Sequence, residues 1–98
     1  MQKQAVVINS HDNVATVVDD FAAGTLINFF IGGSEQSVKL LQNIPLGHKF
    51  AICEIKPQED ILKYGECIGV STTLIIAGQH VHVHNMESKR GRVNDNHS

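Results

Sequence analysis

Seven short apolar segments recur along the chain, each closed by turn-forming residues, and this interruption limits the fold more than any other feature. They are AVVI at 5–8, VATVV at 14–18, TLINFFI at 25–31, KFAICEI at 49–55, DILKY at 60–64, STTLII at 71–76 and HVHVH at 80–84. Between them lie NSHDN, AAG, GGSEQ, PLGH, KPQED and AGQ, which supply the Gly, Pro, Asn and Asp that tight turns use. Val, Ile and Thr dominate many of the segments, and such residues suit a pleated, half-buried surface. The pattern predicts a small, mainly β domain of short strands and tight turns, with at most one or two short helices.

One helix competes for SEQSVKLLQN, where Ser34 is placed to cap and Val38, Leu41 and Ile44 share a helical face. A strand across VKLLQ is the alternative. Residues 1–86 are expected to form the domain and 87–98, ESKRGRVNDNHS, a flexible polar tail with Val93 as its one aliphatic residue. A weak internal repeat is also visible. DFAAGTLI at 20–27 and LIIAGQHV at 74–81 each set Ala-Gly between apolar positions, which suggests a pseudo-symmetric pair of hairpin-like elements turned by a glycine of positive φ.

With 98 residues there is room for one modest core and for no hidden second domain. A formal charge of -2 and the lack of a basic patch interleaved with aromatics argue against a nucleic-acid partner. The apolar runs are broken by glycine far short of the roughly 20 residues of a membrane helix, so no membrane partner is expected. Cys53 and Cys67 are too few for a disulfide framework and are read as small core residues. A start without a long apolar stretch makes a reducing cytoplasm the expected location.

Four polar groups carry the chemistry on offer. In QHVHVHN, strand alternation sets His80, His82 and His84 on one face, and histidines two apart can converge on a metal or an anion; an edge strand displaying solvated imidazoles is the structural alternative. In PLGHKFA, a turn at Pro45 and Gly47 presents His48 and Lys49, a pair suited to carboxylate binding or proton transfer unless it simply stays wet. In ILKYGECIG, Lys63 and Tyr64 have groups that grip a carboxylate, and Gly65 lets the backbone turn or approach a ligand; the alternative packs Tyr64 on the core and leaves Lys63 and Glu66 in solvent. In SHDNV, Asp12 and Asn13 read as turn residues whose side chains cap backbone amides.

Taken in order, DNVA at 12–15, DFAAGTLI, IPLGHKFAICEI at 44–55, ILKYGECIG at 61–69, IAG and HVHN at 82–85 resemble the altronate dehydratase family, which includes galactarate dehydratase and sulfolactate sulfo-lyase. The resemblance runs over about residues 5–85. SAF domains of sialate synthases and antifreeze proteins share the Ala-Gly turns but not GHKFA, KYG and HVHN in this order. The resemblance implies a small SAF domain of the β-clip fold that precedes or partners a much larger catalytic portion. It implies elimination of water or sulfite from a sugar acid or other hydroxy acid with Fe(2+) or another divalent metal, held mainly by the large subunit.

Carried onto this chain, the resemblance makes His48, Lys49, Tyr64 and His82 the catalytic candidates and Lys63, Gly65, Asn85, Asp12 and Asn13 the substrate-binding ones. His82 and His84 are the metal candidates. The chain departs from the pattern at Asn9, where many relatives have histidine three positions before the DNVA aspartate, while His11 and His80 fall on variable positions. No large portion follows HVHN here, so a separate large dehydratase subunit is the expected partner, and assembly with further copies of this chain stays open. The expected function is that of an accessory lyase subunit, not active alone. A stand-alone module binding an acidic carbohydrate, and a non-catalytic docking or lid subunit, are the alternatives.

Overall fold

The computed structural model describes residues 4–88. Nine strands run in chain order: β1 (Ala5–Val6), β2 (Val14–Val17), β3 (Leu26–Ile31), β4 (Ser34–Lys39), β5 (Lys49–Ala51), β6 (Asp60–Lys63), β7 (Glu66–Ser71), β8 (His80–Val81) and β9 (Met86–Ser88). All pairing is antiparallel. β1, β2, β5 and β8 form a four-stranded sheet, β3 and β4 a two-stranded ribbon, and β6, β7 and β9 a three-stranded sheet. No described residue is helical, and no helix is long and apolar enough to cross a membrane.

The four-stranded sheet is buried on both faces, and side-chain alternation decides which residue serves which core. Ala5, Ala15, Val17 and Phe50 point to one side, where they pack with Ile27, Phe29, Leu40 and Ile44. Val14, Ala51 and Val81 point to the other, against Ile55, Ile61 and Ile75. Phe50 is completely buried and meets Phe29 edge-on, with ring centroids 6.1 Å apart and planes at 70°.

The internal repeat is larger than the two Ala-Gly segments indicate. Four loops have the same hydrogen bonds, built on Phe21, Ile44, Ile55 and Ile75, each followed three residues later by a positive-φ position: Gly24, Gly47, Gln58 and Gly78. Each closes with an i+3 to i bond, as in His48 N to Pro45 O at 2.9 Å and Gln79 N to Ile76 O at 3.1 Å. The anchors bridge pairwise, Phe21 with Ile44 and Ile55 with Ile75, so each pair sits under one of the two cores. Gly78 is the strictest of the four, because its φ is +93° and a Cβ there would run into the Lys39 carbonyl.

Two sequence expectations are corrected, and one open choice is resolved. Of the helix and the strand that compete for SEQSVKLLQN, a strand forms, over 34–39: the Gly32-Gly33 turn, with both φ positive, returns the chain along β3, and these residues pair with it in register. HVHVH is not one strand, since β8 ends at Val81 and residues 82–85 turn back toward β9. Cys53 is exposed rather than in the core, because it lies in the loop after β5 where alternation no longer points inward; Cys67 is half-buried. Of the predicted tail, Glu87 and Ser88 belong to β9, paired with Val70 and Gly69; the remainder of it lies outside the described residues.

Candidate functional site

Register explains how histidines far apart in sequence meet. β5 and β8 pair Lys49 with Val81 and Phe50 with His80. One further step of the same antiparallel register sets His82 opposite His48, and their rings stack with centroids 4.5 Å apart. His80 lies two residues from His82 on the same face, and its Nε2 is 2.9 Å from His48 Nδ1. One of these two nitrogens must donate and the other must keep its lone pair. The candidate metal-ligating atoms of His48, His80 and His82 all lie within 4.8 Å of one another, and all three residues are half-buried. His84 is exposed, and its ring lies beside that of His80 with centroids 5.3 Å apart.

The backbone beneath the imidazoles is held by side-chain amides. Asn85 accepts the His82 N–H at 3.0 Å and donates to the His80 carbonyl at 2.9 Å. Gln42 accepts the His80 N–H at 2.9 Å. Asn85 is 4 % exposed, so both of its bonds are shielded from competing water. Its side chain therefore fixes the HVHN turn.

Electrostatics favour the neutral form of His80 and His82. Burial first, then the positive fields of His48, His84, His82 and Lys49, push His80 down to about 4. Desolvation, with His48, Lys49 and His84 behind it, also holds His82 below the ordinary histidine value. Lys49 is itself lowered, by burial and then by Lys63, which puts two ammonium groups within range of each other. Lys63 Nζ lies 5.1 Å from the Tyr64 ring centroid, and Tyr64 is exposed. His48, His80 and His82 thus share one side of the strand pair, while Lys49, on the other side of β5, lies within electrostatic range of them and of Lys63 beside Tyr64. Neutral imidazoles offer lone pairs to a proton or a borderline metal ion, and paired ammoniums suit a carboxylate.

The remaining sequence candidates support this surface from below. Asp12, 5 % exposed, accepts the Tyr64 N–H at 2.9 Å, the Gly65 N–H at 2.8 Å and the Asn9 N–H at 3.2 Å. It thereby holds the Tyr64-Gly65 turn, in which Tyr64 has φ 55° and Gly65 φ 80°, a conformation a non-glycine residue adopts at a cost. Asn13 accepts the Leu62 N–H and donates to the Asp60 carbonyl, extending β6 like a strand neighbour. His80, left out of the sequence-based site, belongs to the histidine group. Its sequence signal was the i, i+2 spacing with His82; the approach of His48 depends on register alone.

The lowered His80 value sets a pH dependence. Unfolded His80 takes up its proton near 6.5 and the folded residue only near 4, so protons in that window bind the unfolded chain preferentially. Stability is expected to fall as pH drops from about 6.5 to about 4. Thermal melts of the wild type and His80→Ala across that range should show a shallower slope for the variant; equal slopes would contradict the assignment.

The family model of the altronate/galactarate dehydratase SAF domain matches residues 3–89. Altronate dehydratase of Escherichia coli is 40% identical over 82 residues, which are 84% of this chain and 16% of that protein. The (2R)-sulfolactate sulfo-lyase subunit alpha of Chromohalobacter salexigens is 34% identical over 88 residues, 87% of this chain and 94% of that subunit. Altronate dehydratase of Bacillus subtilis is 33% identical over 86 residues, 88% of this chain and again 16% of the relative. The chain therefore spans a small part of the dehydratases and nearly the whole of the sulfo-lyase subunit.

Proposed function

This chain belongs to the altronate/galactarate dehydratase SAF domain family, and from that premise we propose that it is the small subunit of a lyase acting on a sugar acid or other hydroxy acid. The observation that carries the reading is the near full-length match to a relative that is itself named as a subunit of a sulfo-lyase. A larger catalytic portion, comparable to the remainder of the dehydratases, completes the site.

Elimination next to a carboxylate needs cations to hold the acid, a base for the α proton and an acid or metal for the leaving group. Lys49 and Lys63 are the cations, and their mutual repulsion, which lowers Lys49, is relieved when a carboxylate comes between them. His82, neutral at physiological pH, is the base, with His48 stacked on it to take or return a proton. The exposed Tyr64 hydroxyl is set to donate to a substrate oxygen by the turn that Asp12 holds. Asp12, Asn13, Gly65 and Asn85 act as positioning residues. A divalent metal such as Fe(2+), held mainly by the larger portion so that the His82 lone pair stays free, would supply Lewis-acid help to the departing hydroxyl or sulfite.

Amide and histidine-ring NMR of the labelled chain, titrated with its larger partner, tests whether this surface faces the catalytic portion. Perturbations are expected to centre on His48, Lys49, His80, His82 and Tyr64. Perturbations centred on the β3–β4 ribbon instead would overturn the placement of the site.

A further inference from the structure

We propose that this chain holds a divalent transition-metal ion by itself, through the three imidazoles of His48, His80 and His82. The set differs from the His82–His84 pair that the sequence suggests and needs no residue from the larger portion; it is a state of the chain without its partner, because an imidazole whose nitrogen binds the ion has no lone pair left for the base role of His82.

The spacing supports it. Imidazole nitrogens bind such ions at about 2.1 Å, so two ligands at right angles on one ion lie about 3.0 Å apart and two at the tetrahedral angle about 3.4 Å. His48 Nδ1 and His80 Nε2 are already 2.9 Å apart. The widest separation in the group is within 4.8 Å, so the third nitrogen must close by at most roughly 1.5 Å. Half-exposed imidazoles stacked at 4.5 and 5.5 Å from their neighbours reach that by small side-chain rotations.

The ligands also have the support that metal sites use. Gln42 and Asn85 fix the backbone on both sides of His80, and Asn85 fixes the amide of His82. In the strand pair, the register itself holds His48 against His82. His84 hangs from the exposed turn with no such anchor. Three imidazole nitrogen donors select an imidazole-preferring ion such as Zn(2+), Co(2+), Ni(2+) or Fe(2+) over Mg(2+) or Ca(2+). Three protein ligands leave at least one position open, as sites that bind a further ligand do. With Lys49 beside the ion, an anionic oxygen ligand is favoured there.

The test uses the full chain without an affinity tag and without any partner. Isothermal titration with Zn(2+), and visible absorption with Co(2+), at neutral pH should give one ion per chain, while Mg(2+) gives no heat. His80→Ala and, separately, His48→Gln should weaken Zn(2+) at least about 10-fold with the far-UV circular dichroism unchanged. His84→Ala and His11→Ala should stay within about threefold of the wild type. Absence of Zn(2+) binding up to about millimolar concentration would overturn the proposal, as would a His80→Ala chain that binds as tightly as the wild type or a loss that follows His84→Ala instead. Since no turnover and no partner enter these measurements, their failure leaves the lyase reading standing, and failure of that reading leaves the metal site standing.

Discussion

In a mixture of this chain with its larger partner, His82→Ala is expected to lower kcat about 10²- to 10⁴-fold, the range for removal of a positioned general base. The effect should appear at saturating partner and substrate, because the missing group is one that moves a proton. Folding should be little affected. The His82 backbone N–H that bonds Asn85 survives the substitution, and the lost ring is half-exposed and stacks on His48 and His80 rather than filling either core. A melting temperature close to wild type, with kcat reduced and association retained, is the predicted combination. Unchanged kcat once partner is saturating, with only association weakened, would favour a docking or lid role.

Asp12→Ala is expected to have the largest effect on stability. Its buried carboxylate accepts three backbone N–H groups, one from its own turn and two from the distant Tyr64-Gly65 turn, and alanine leaves all three without that acceptor. Hydrogen bonds to a charged group contribute roughly 1.5–3 kcal/mol each, and a stranded buried donor adds its desolvation cost. Bonds to one carboxylate are not additive, and the expected loss is about 3–5 kcal/mol, against a total of roughly 5–15 kcal/mol for a domain of this size. The Tyr64-Gly65 turn should open first, since Tyr64 keeps its positive φ only while Asp12 holds it. Urea unfolding checks this: a midpoint shift worth less than about 1 kcal/mol would show that the turn holds itself. Asp12→Asn, which keeps one acceptor oxygen, should fall between the two.

Much of the architecture was legible because short strands and turn residues leave marks that depend only on neighbours in sequence. The β character, the glycine turns at Gly24 and Gly78 and the turn role of Asp12 and Asn13 are of this kind. β4 stayed undecided between helix and strand because its residues are exposed on nearly every position, so no alternation outweighs the chance helical spacing of Val38, Leu41 and Ile44. Two of the four repeated loops escaped notice because their turns read Leu46-Gly47 and Pro57-Gln58 rather than Ala-Gly. The shared signal is an apolar anchor three residues before the positive-φ position, and it is visible in the sequence once sought.

The histidine site was half legible. Period-two spacing joins His80 to His82, but extending it to His84 fails where β8 ends and the Asn85 turn begins. His48 joins them only through the β5–β8 register, which is set by the two cores and not by local sequence. The same register separates Lys49 from His48 by one side of the strand, so the two act as neighbouring groups rather than as a single pair.

The most direct test of the subunit reading is turnover of a panel of sugar acids and other hydroxy acids, with ferrous iron present, by this chain alone, by the larger protein alone and by the two together. Product is predicted from the mixture, with each component alone giving little. Equal rates from the larger protein with and without this chain would contradict it.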